Sequence, residues 1–461
     1  MLPVAVRDLF ETIMCKEAIQ EVLEDSRYQL RERKKNAALM LFSMIAASAG
    51  GRGGKQAAVL RLYTSAATVS ANEAGIDPQT AKPGKSGMYR WFDKRLSKCL
   101  EMLASKAMAY AAAQKKDLPG WLGEDVRDWL IIDSTTCKLD YELKEEYPGT
   151  GDYAAIKVHK TMSVGTGCVV DYHFSPAREH DSRHLDITEK HRGFGIRADL
   201  GYASFDRLTC CDTHGVFYAI RLKDSWKPKV TEITRGGIKK ALNASADFDM
   251  VLAKNLALDG KCVDMVVVLT KGKKKLQSRV VGVCGPNSTY RWYLTNLPPK
   301  RGPQQVSDLY RVRWEIESEN KLSKSSFALD EMSSRTAGAL HAMLHAAMIG
   351  TMLSCLITHV HRLETKPDCA KNEVPERDVP PLHPRLVAAV MQTNSAQISI
   401  AMTTEDEKTK KLMWEVVTGE ILRWGVDTNW RTKPSILDQL RGWKVKPHKR
   451  RVARLSSKKK H

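Results

Sequence analysis

Two short apolar segments in the middle of the chain each end in an aspartate, and this pattern strongly constrains the fold. Residues 128–136 read Asp-Trp-Leu-Ile-Ile-Asp-Ser-Thr-Thr, which predicts a strand with Asp133 at the end of its apolar run. Residues 194–204 predict a second strand, followed by Asp199, a glycine turn and the start of a helix. A carboxylate at the end of a buried strand is costly without a partner, so we expect both aspartates to face a cation.

The neighbouring segments indicate the order in which strands and helices follow one another. A hairpin at Gly165–Gly167 joins two predicted strands, a helix is expected over residues 181–192, and another strand follows Asp199. The predicted strands are 154–164, 168–176, 216–222, 247–256, 261–269, 278–283 and 290–294. This order predicts an α/β ribonuclease-H-like catalytic core interrupted by a β-rich insertion, with helical N- and C-terminal regions.

A third acid lies in the stretch from Tyr310 to Lys324, which contains neither proline nor glycine. Apolar residues recur at helical intervals at Leu309, Val312 and Ile316, so the stretch predicts one amphipathic helix. Tyr310, Arg313, Glu317 and Lys324 then share a polar face, within about 60° of one another around the axis. A solvated face with a weak Arg313–Glu317 pair is the simpler interpretation of the helix alone.

Asp133, Asp199 and Glu317 together suit divalent metal chemistry. Carboxylate oxygens are hard ligands, and Mg²⁺ bound by a few of them keeps positions open for water and substrate phosphates. Two such ions about 3.5–4 Å apart would activate the attacking oxygen and stabilise the leaving oxygen at a phosphodiester. We therefore predict that these three acids are catalytic metal ligands, with Mg²⁺ as cofactor and Mn²⁺ as a substitute.

The charge balance fits a partner that is a polyanion. The 461 residues include 73 Lys and Arg against 53 Asp and Glu, a net charge of +20. A basic protein of a membrane surface has the same balance, but the apolar segment Thr336–Ile357 contains two histidines and is predicted to be a buried helix. No secretory signal is evident, and ten scattered cysteines suit a reducing cytosol.

Five regions are predicted along the chain. Residues 1–118 form a helical N-terminal DNA-binding region, which resembles a helix-turn-helix reader although any helical domain has similar features. Residues 119–225 and 300–330 form the two parts of the core, residues 226–299 the insertion, and residues 331–461 a helical C-terminal region with a basic tail. The tail, Lys444–His461, has nine Lys or Arg among eighteen residues and suits either phosphate contact or a solubilising role.

The helices of the terminal regions follow from apolar periodicity. We predict them at Val6–Leu23, Asn36–Ala49, Gln56–Val69, Met88–Ala113 and Glu405–Trp424, with a glycine break at Gly50–Gly54.

At this point the sequence resembles the IS-four family of DDE transposases from bacterial insertion sequences. The resemblance rests on Asp133-Ser-Thr, Ala198-Asp-Leu-Gly-Tyr, Leu294-Thr-Asn-Leu and the complete signature Y-x2-R-x3-E-x6-K from Tyr310 to Lys324. Lys157, His159 and His180-Asp181 also resemble family positions. The likeness covers roughly residues 125–330.

The resemblance implies cut-and-paste DNA transposition, with Asp133, Asp199 and Glu317 as the metal ligands. In the family, water cleaves a strand at the element's end, and the freed 3′-hydroxyl commonly attacks the opposite strand to close a hairpin. The 3′ ends later join target DNA. The implied partners are double-stranded DNA, at the transposon ends and the target, and a second copy of the chain in a synaptic homodimer. The implied location is the bacterial cytoplasm, at the nucleoid, without a membrane.

Five further residues are predicted to contact DNA. The resemblance implies that Tyr310, Arg313 and Lys324 hold the terminal phosphates. Trp314 follows the signature arginine at the edge of the polar face, where it suits stacking on an extruded base or packing on a neighbour. Trp292 is a weaker candidate for the same role, because an indole in a strand usually belongs to the core.

Two histidine pairs have metal-ligand spacing. His341 and His345 lack the glutamate of a zinc protease, so a packed helix is the better interpretation. His180 and His184 lack an evident third ligand, and a role in a loop or at a helix start is preferred.

Two other functions remain open. A non-enzymatic DNA-binding protein derived from a transposase would not need the three acids. A metal nuclease of the same fold would cut DNA without joining it.

Overall fold

The computed structural model describes residues 2–28, 37–48, 56–73, 87, 89–235, 238–249, 251, 262–285, 289–330, 332–366, 379–404, 406–430, 432 and 434–441. The predicted Gly50–Gly54 break and the basic tail from Lys444 lie outside these ranges. The strands are β1 Trp129–Lys138, β2 Ala155–Ser163, β3 Cys168–Pro176, β4 Gly195–Ala198, β5 Phe217–Arg221, β6 Lys229–Arg235, β7 Ile238–Asp247, β8 Val263–Lys271, β9 Lys274–Cys284 and β10 Tyr290–Thr295.

The described α-helices fall at both ends of the chain and around the sheet. They are α1 Leu2–Met14, α2 Lys16–Asp25, α3 Ala37–Ser48, α4 Gln56–Glu73, α5 Lys94–Ala113, α6 Phe205–Thr213, α7 Pro303–Arg311, α8 Trp314–Phe327, α9 Ala337–Glu364, α10 Pro384–Thr393, α11 Ser395–Thr403, α12 Glu407–Trp424 and α13 Ile436–Arg441.

The first five strands form one half of a mixed sheet. Its order is β3-β2-β1-β4-β5, with β1 antiparallel to β2 and parallel to β4. β4 and β5 are also parallel, so α6 crosses from one to the other. All five strands lie where the apolar runs predict them, and Gly167 takes a left-handed conformation (φ +70°) in the hairpin that joins β2 and β3.

The strands after residue 226 extend the same sheet. β10 pairs antiparallel with β5, and the order continues β10-β9-β8-β6-β7, which gives ten strands in all. The predicted strand over 247–256 is wrong in its first part, because Asp247 ends β7 and Phe248, Asp249 and Val251 are helical. Residues 252–261 lie outside the described ranges. Whether residues 226–299 form an insertion domain remains a prediction.

Apolar side chains cover both faces of the sheet. On one face Val306, Leu309, Val312 and Ile316 are fully buried in a cluster with Trp129 of β1. The other face packs on α6 and on the residues that lead into it. α7 and α8 therefore lie across the strands that carry the two aspartates.

The helices from the two ends of the chain share one core. α9 packs on α1, α3 and α5 from the N-terminal region and on α8 and α10. It is the one described helix long and apolar enough to span a membrane, and 94% of its apolar window is buried in the protein. The prediction of a buried helix at Thr336–Ile357 is confirmed. The helix-turn-helix interpretation remains a prediction.

Three of the helices predicted outside the Tyr310–Lys324 stretch differ from the observed elements. Val6–Leu23 contains two helices, because Cys15 ends the first and its sulfur accepts a hydrogen bond from the Ala18 amide at the start of the second. α5 begins only at Lys94, where the Asp93 carboxylate caps it. The single helix predicted over 181–192 is wrong, because two short 3₁₀ helices at Asp181–His184 and Glu189–His191 replace it.

Candidate active site

Asp133 and Asp199 occupy equivalent positions on two neighbouring parallel strands. Ile132 of β1 pairs with Ala198 of β4, and each aspartate is the next residue along its chain. β4 ends at Ala198, whereas β1 continues to Lys138, so Asp133 lies within its strand and not at the end as predicted. The register still brings both carboxylates together where β4 ends. Asp133 is half-buried and Asp199 is exposed.

The third acid reaches this place on α8, which packs against β1. Asn320 Nδ2 of α8 donates to Asp133 Oδ2 at 3.3 Å, which fixes the helix beside the first aspartate. Glu317 lies one turn before Asn320, and its carboxylate accepts a hydrogen bond from Arg313 in an ion pair. Arg313 therefore pairs with Glu317 and also acts electrostatically on Asp133.

The three carboxylates influence one another electrostatically. Burial, together with the charges of Asp199 and Glu317, raises the pKa of Asp133 to about 6 against the opposing effects of the Ser134 amide and Arg313. Asp133 therefore holds a proton more readily than an ordinary aspartate. A bound divalent cation would relieve the same repulsion that favours this proton.

The donor set fits a hard cation, since Asp133, Asp199 and Glu317 offer carboxylate oxygens only. Among the described residues, however, these three groups do not come within 4.8 Å of one another as a cluster. Glu317 is paired with Arg313 instead. The three acids lie near one another but do not form a compact cluster of ligand atoms.

The predicted single helix from Tyr310 to Lys324 is wrong, because the chain bends between α7 and α8. Val312 and Arg313 form a turn in which the amides of Val312, Arg313 and Glu315 each bond to the carbonyl three residues earlier. Because this stretch contains neither glycine nor proline, the break cannot be predicted from the sequence. The buried stripe of Leu309, Val312 and Ile316 is confirmed, since all three are fully buried.

The bend places Tyr310 on a different helix from Glu317. Its ring packs 3.9 Å from the guanidinium of Arg197 and 5.0 Å from the ring of Tyr293. Arg197 is fully buried, and it donates to the carbonyls of Tyr310 and Ala219. Arg197 thereby ties the end of α7 to β4 and β5, and only part of the Tyr310 side chain stays accessible.

Three other residues predicted to contact DNA differ in accessibility. Lys324 Nζ lies 3.2 Å from the carbonyl of Thr136, three residues beyond Asp133 on β1. Trp314 is 56% exposed at the first position of α8. Trp292 is half-buried on β10, where it lies across from Gly282, stacks on Tyr290 and meets Phe248 edge-on. The observed packing of Trp292 is that of a core residue.

Asp181, Ser134 and Lys157 form a polar network beside Asp133. Asp181 Oδ1 accepts from Ser134 Oγ at 3.0 Å and from Lys157 Nζ at 2.9 Å. These contacts hold the turn at residues 181–184 against β1 at Ser134. Sequence reasoning named Lys157 and Asp181 as family-like positions but assigned them no role, because their contact depends on strand register.

The other histidine interpretations have mixed outcomes. His341 and His345 bond to the hydroxyls of Tyr147 and Tyr172, as expected of a packed helix. His180 accepts a hydrogen bond from the Ser182 amide and so begins a 3₁₀ helix. His184 belongs to a cluster with His159 and His173 that the sequence did not reveal.

Comparisons with known proteins show which proteins this chain resembles. Residues 125–353 match the family model described as the transposase DDE domain. The chain is 25% identical over 262 residues to the transposase for insertion sequence element IS231E of Bacillus thuringiensis subsp. finitimus, which covers 48% of this chain and 55% of that protein. It is 24% identical over 267 residues to the transposase for insertion sequence element IS1151 of Clostridium perfringens, covering 50% of this chain and 56% of that protein.

The chain thus spans little more than half the length of the curated relatives it matches. A solved structure of the piggyBac transposase synaptic complex with hairpin DNA aligns with 91% of this chain and 85% of that chain, at a TM-score of 0.44 and 11% identity. That similarity is too weak to compare individual residues. Residues 125–353 therefore match the DDE domain of transposases, and the resemblance to insertion-sequence transposases is confirmed.

Proposed function

We propose that this protein is a DNA transposase that moves an insertion sequence by cutting and joining DNA. The observation that carries the proposal is the convergence of Asp133 and Asp199, on adjacent parallel strands, with Glu317 on the helix that packs against them. The match of this segment to transposase DDE domains and its similarity to two insertion-sequence transposases support the same conclusion.

Asp133, Asp199 and Glu317 would hold the divalent metal, for which Mg²⁺ is the proposed ion and Mn²⁺ a substitute. When bound, the metal supplies Lewis-acid stabilisation of charge at the phosphodiester and lowers the pKa of an attacking hydroxyl. Asp133 must lose its proton to act as a ligand, so its raised pKa makes metal binding stronger as pH rises through about 6.

Basic and aromatic residues around the acids would position DNA. Arg313, just before α8, pairs with Glu317, and Lys324 lies on α8 near β1; both suit contacts to terminal phosphates. The exposed ring of Trp314 suits stacking on a base extruded during hairpin formation. Tyr310 keeps a partly accessible side chain, while Trp292 would have to leave its packed position to stack on DNA.

The proposed partners are the double-stranded ends of the element, its target DNA and a second copy of this chain in the synaptic complex. The net charge of +20 suits a protein that lies along DNA. The proposed location is the cytoplasm, at the nucleoid.

A transposition assay in vitro tests the proposal. A plasmid carrying the element is incubated with a labelled target plasmid, the full chain and Mg²⁺. Joined donor–target products support a transposase. Cut donor without joined product would show a nuclease of the same fold, and binding without cutting would show a DNA-binding relative that has lost catalysis.

A further inference from the structure

Three histidines from three separate elements meet near the polar network of Asp181, Ser134 and Lys157. His159 of β2 pairs directly with His173 of β3 in the sheet register. His184 ends the 3₁₀ helix that follows β3. One ring nitrogen from each lies within 4.8 Å of the other two, and His173 Nε2 is 3.2 Å from His184 Nδ1.

The surroundings of His159 and His173 favour the neutral form of these two rings. Burial, together with the two neighbouring histidines, lowers the pKa of His159 to about 3. Burial and His184 also lower the pKa of His173. Neutral imidazole is the form that coordinates metal ions.

The contacts of His159 and His184 resemble those that orient metal-bound imidazoles. Glu179 Oε2 lies 3.0 Å from His184 Nε2, which leaves Nδ1 directed at His173. His159 contacts Ser175 Oγ at 2.9 Å and the Tyr202 hydroxyl at 3.3 Å through its two nitrogens. Coordination through one of these nitrogens replaces one hydroxyl contact of His159, and the other contact stays in place.

We propose that His159, His173 and His184 bind one divalent transition-metal ion of the Zn²⁺ type, at a site separate from the three catalytic acids. Three imidazole nitrogens suit zinc, nickel, cobalt or copper, whereas Mg²⁺ prefers oxygen ligands. The ion takes the place of the hydrogen bond between His173 Nε2 and His184 Nδ1, and the neutral His173 ring then carries its proton on Nδ1. The His159 and His184 rings stack 4.0 Å apart with planes at 22°, so one ring turns to aim its nitrogen at the ion.

This site has a structural role for the active site. The 3₁₀ helix that carries His184 also carries Asp181, which bonds to Ser134 next to Asp133. An ion held by β2, β3 and this helix would fasten the Asp181 turn to the sheet. Binding therefore stabilises the fold around the first catalytic aspartate, and it does not depend on whether the protein transposes DNA.

Cobalt provides the direct test, because Co²⁺ in a nitrogen-rich tetrahedral site absorbs visible light strongly. The full chain is stripped with a chelator, returned to excess Mg²⁺ and titrated with Co²⁺. We expect one equivalent of bound Co²⁺ with a visible spectrum, and binding at least ~10-fold weaker in His173→Gln and in His184→Gln. His173 is exposed, so its variant should fold normally.

Two further variants separate this site from others on the protein. His214→Gln changes a histidine outside the cluster and should keep the spectrum. Asp133→Asn should also keep it, because the catalytic acids lie outside the cluster. No visible spectrum in the unmodified protein, or a spectrum that survives His173→Gln, would overturn the proposal.

Discussion

Lys160 Nζ lies 2.9 Å from Glu319 Oε2, and both side chains are almost completely buried between β2 and α8. Ser323 Oγ, one turn further along α8, is also 2.9 Å from Lys160 Nζ. Glu319 is two residues beyond Glu317, so the pair fixes the helix that carries the third acid. Nothing in the sequence marked this pair, since its partners are 159 residues apart.

Removing one member of this pair should destabilise the protein strongly. Lys160→Met leaves the Glu319 carboxylate buried without its cation, a change that costs about 3–5 kcal/mol in comparable cases. We expect a lower unfolding midpoint in urea for Lys160→Met. The double variant Lys160→Met/Glu319→Leu removes both charges and should recover most of the loss. Equal midpoints for the unmodified protein and Lys160→Met would contradict this role.

The raised pKa of Asp133 makes a prediction about stability and pH. Because the folded pKa of about 6 lies above the ordinary pKa of 3.8, protonated Asp133 favours the folded state, and this stability is lost as pH rises from about 4 through about 6. Without divalent metal, Asp133→Asn should therefore melt at a higher temperature than the unmodified protein at pH 7.5. The difference should shrink towards pH 4. A pH-independent difference in melting temperature would show that Asp133 has an ordinary pKa.

Arg313 and Lys324 should contribute to binding of the element's end. If each contacts one phosphate, Arg313→Ala or Lys324→Ala should lower the slope of log K against log salt by about 1 without unfolding the protein. Lys411→Ala, on the exposed face of α12, is a matched loss of charge and should change neither slope nor cleavage. Unchanged end binding and cleavage in the Arg313 and Lys324 variants would remove their proposed role.

Trp314 should matter for DNA and not for folding. Its side chain is 56% exposed, so Trp314→Ala should leave the melting temperature nearly unchanged. Loss of one base stack costs about 1–3 kcal/mol, and we expect a lower yield of hairpin product from end-labelled DNA. Trp424→Ala removes an indole of similar exposure, 58%, from α12 and provides the control. Equal hairpin yields in the two variants would assign Trp314 to another surface role.

The local elements of the core were predictable because apolar runs and turn residues mark them. Apolar residues recur in β1 to β5, and Asp133 and Asp199 could be placed at the ends of apolar runs from the sequence alone, although β1 continues beyond Asp133 to Lys138. β6 and β7 were missed because their lysines, arginine and polar residues hide the alternation. The break at Val312–Arg313 was missed because ordinary residues form it.

Contacts between distant segments could not be predicted in the same way. The pairing of His159 with His173 depends on strand register, which one sequence does not fix. The shared core of the terminal helices depends on α9, which touches α1, α3, α5 and α10 from both ends of the chain. Resemblance named Lys157 and Asp181, but only the structure shows that they meet beside Asp133.

Cleavage of an end-labelled DNA fragment carrying the element's terminus, in Mg²⁺, is the most direct test of the central claim that Asp133, Asp199 and Glu317 form one catalytic site. The unmodified protein and Asp206→Asn, an exposed carboxylate on α6, should both cut at the element's end. Asp133→Asn, Asp199→Asn and Glu317→Gln should bind the same fragment and leave it uncut. Cleavage by any of these three variants at the rate of the unmodified protein would contradict the account.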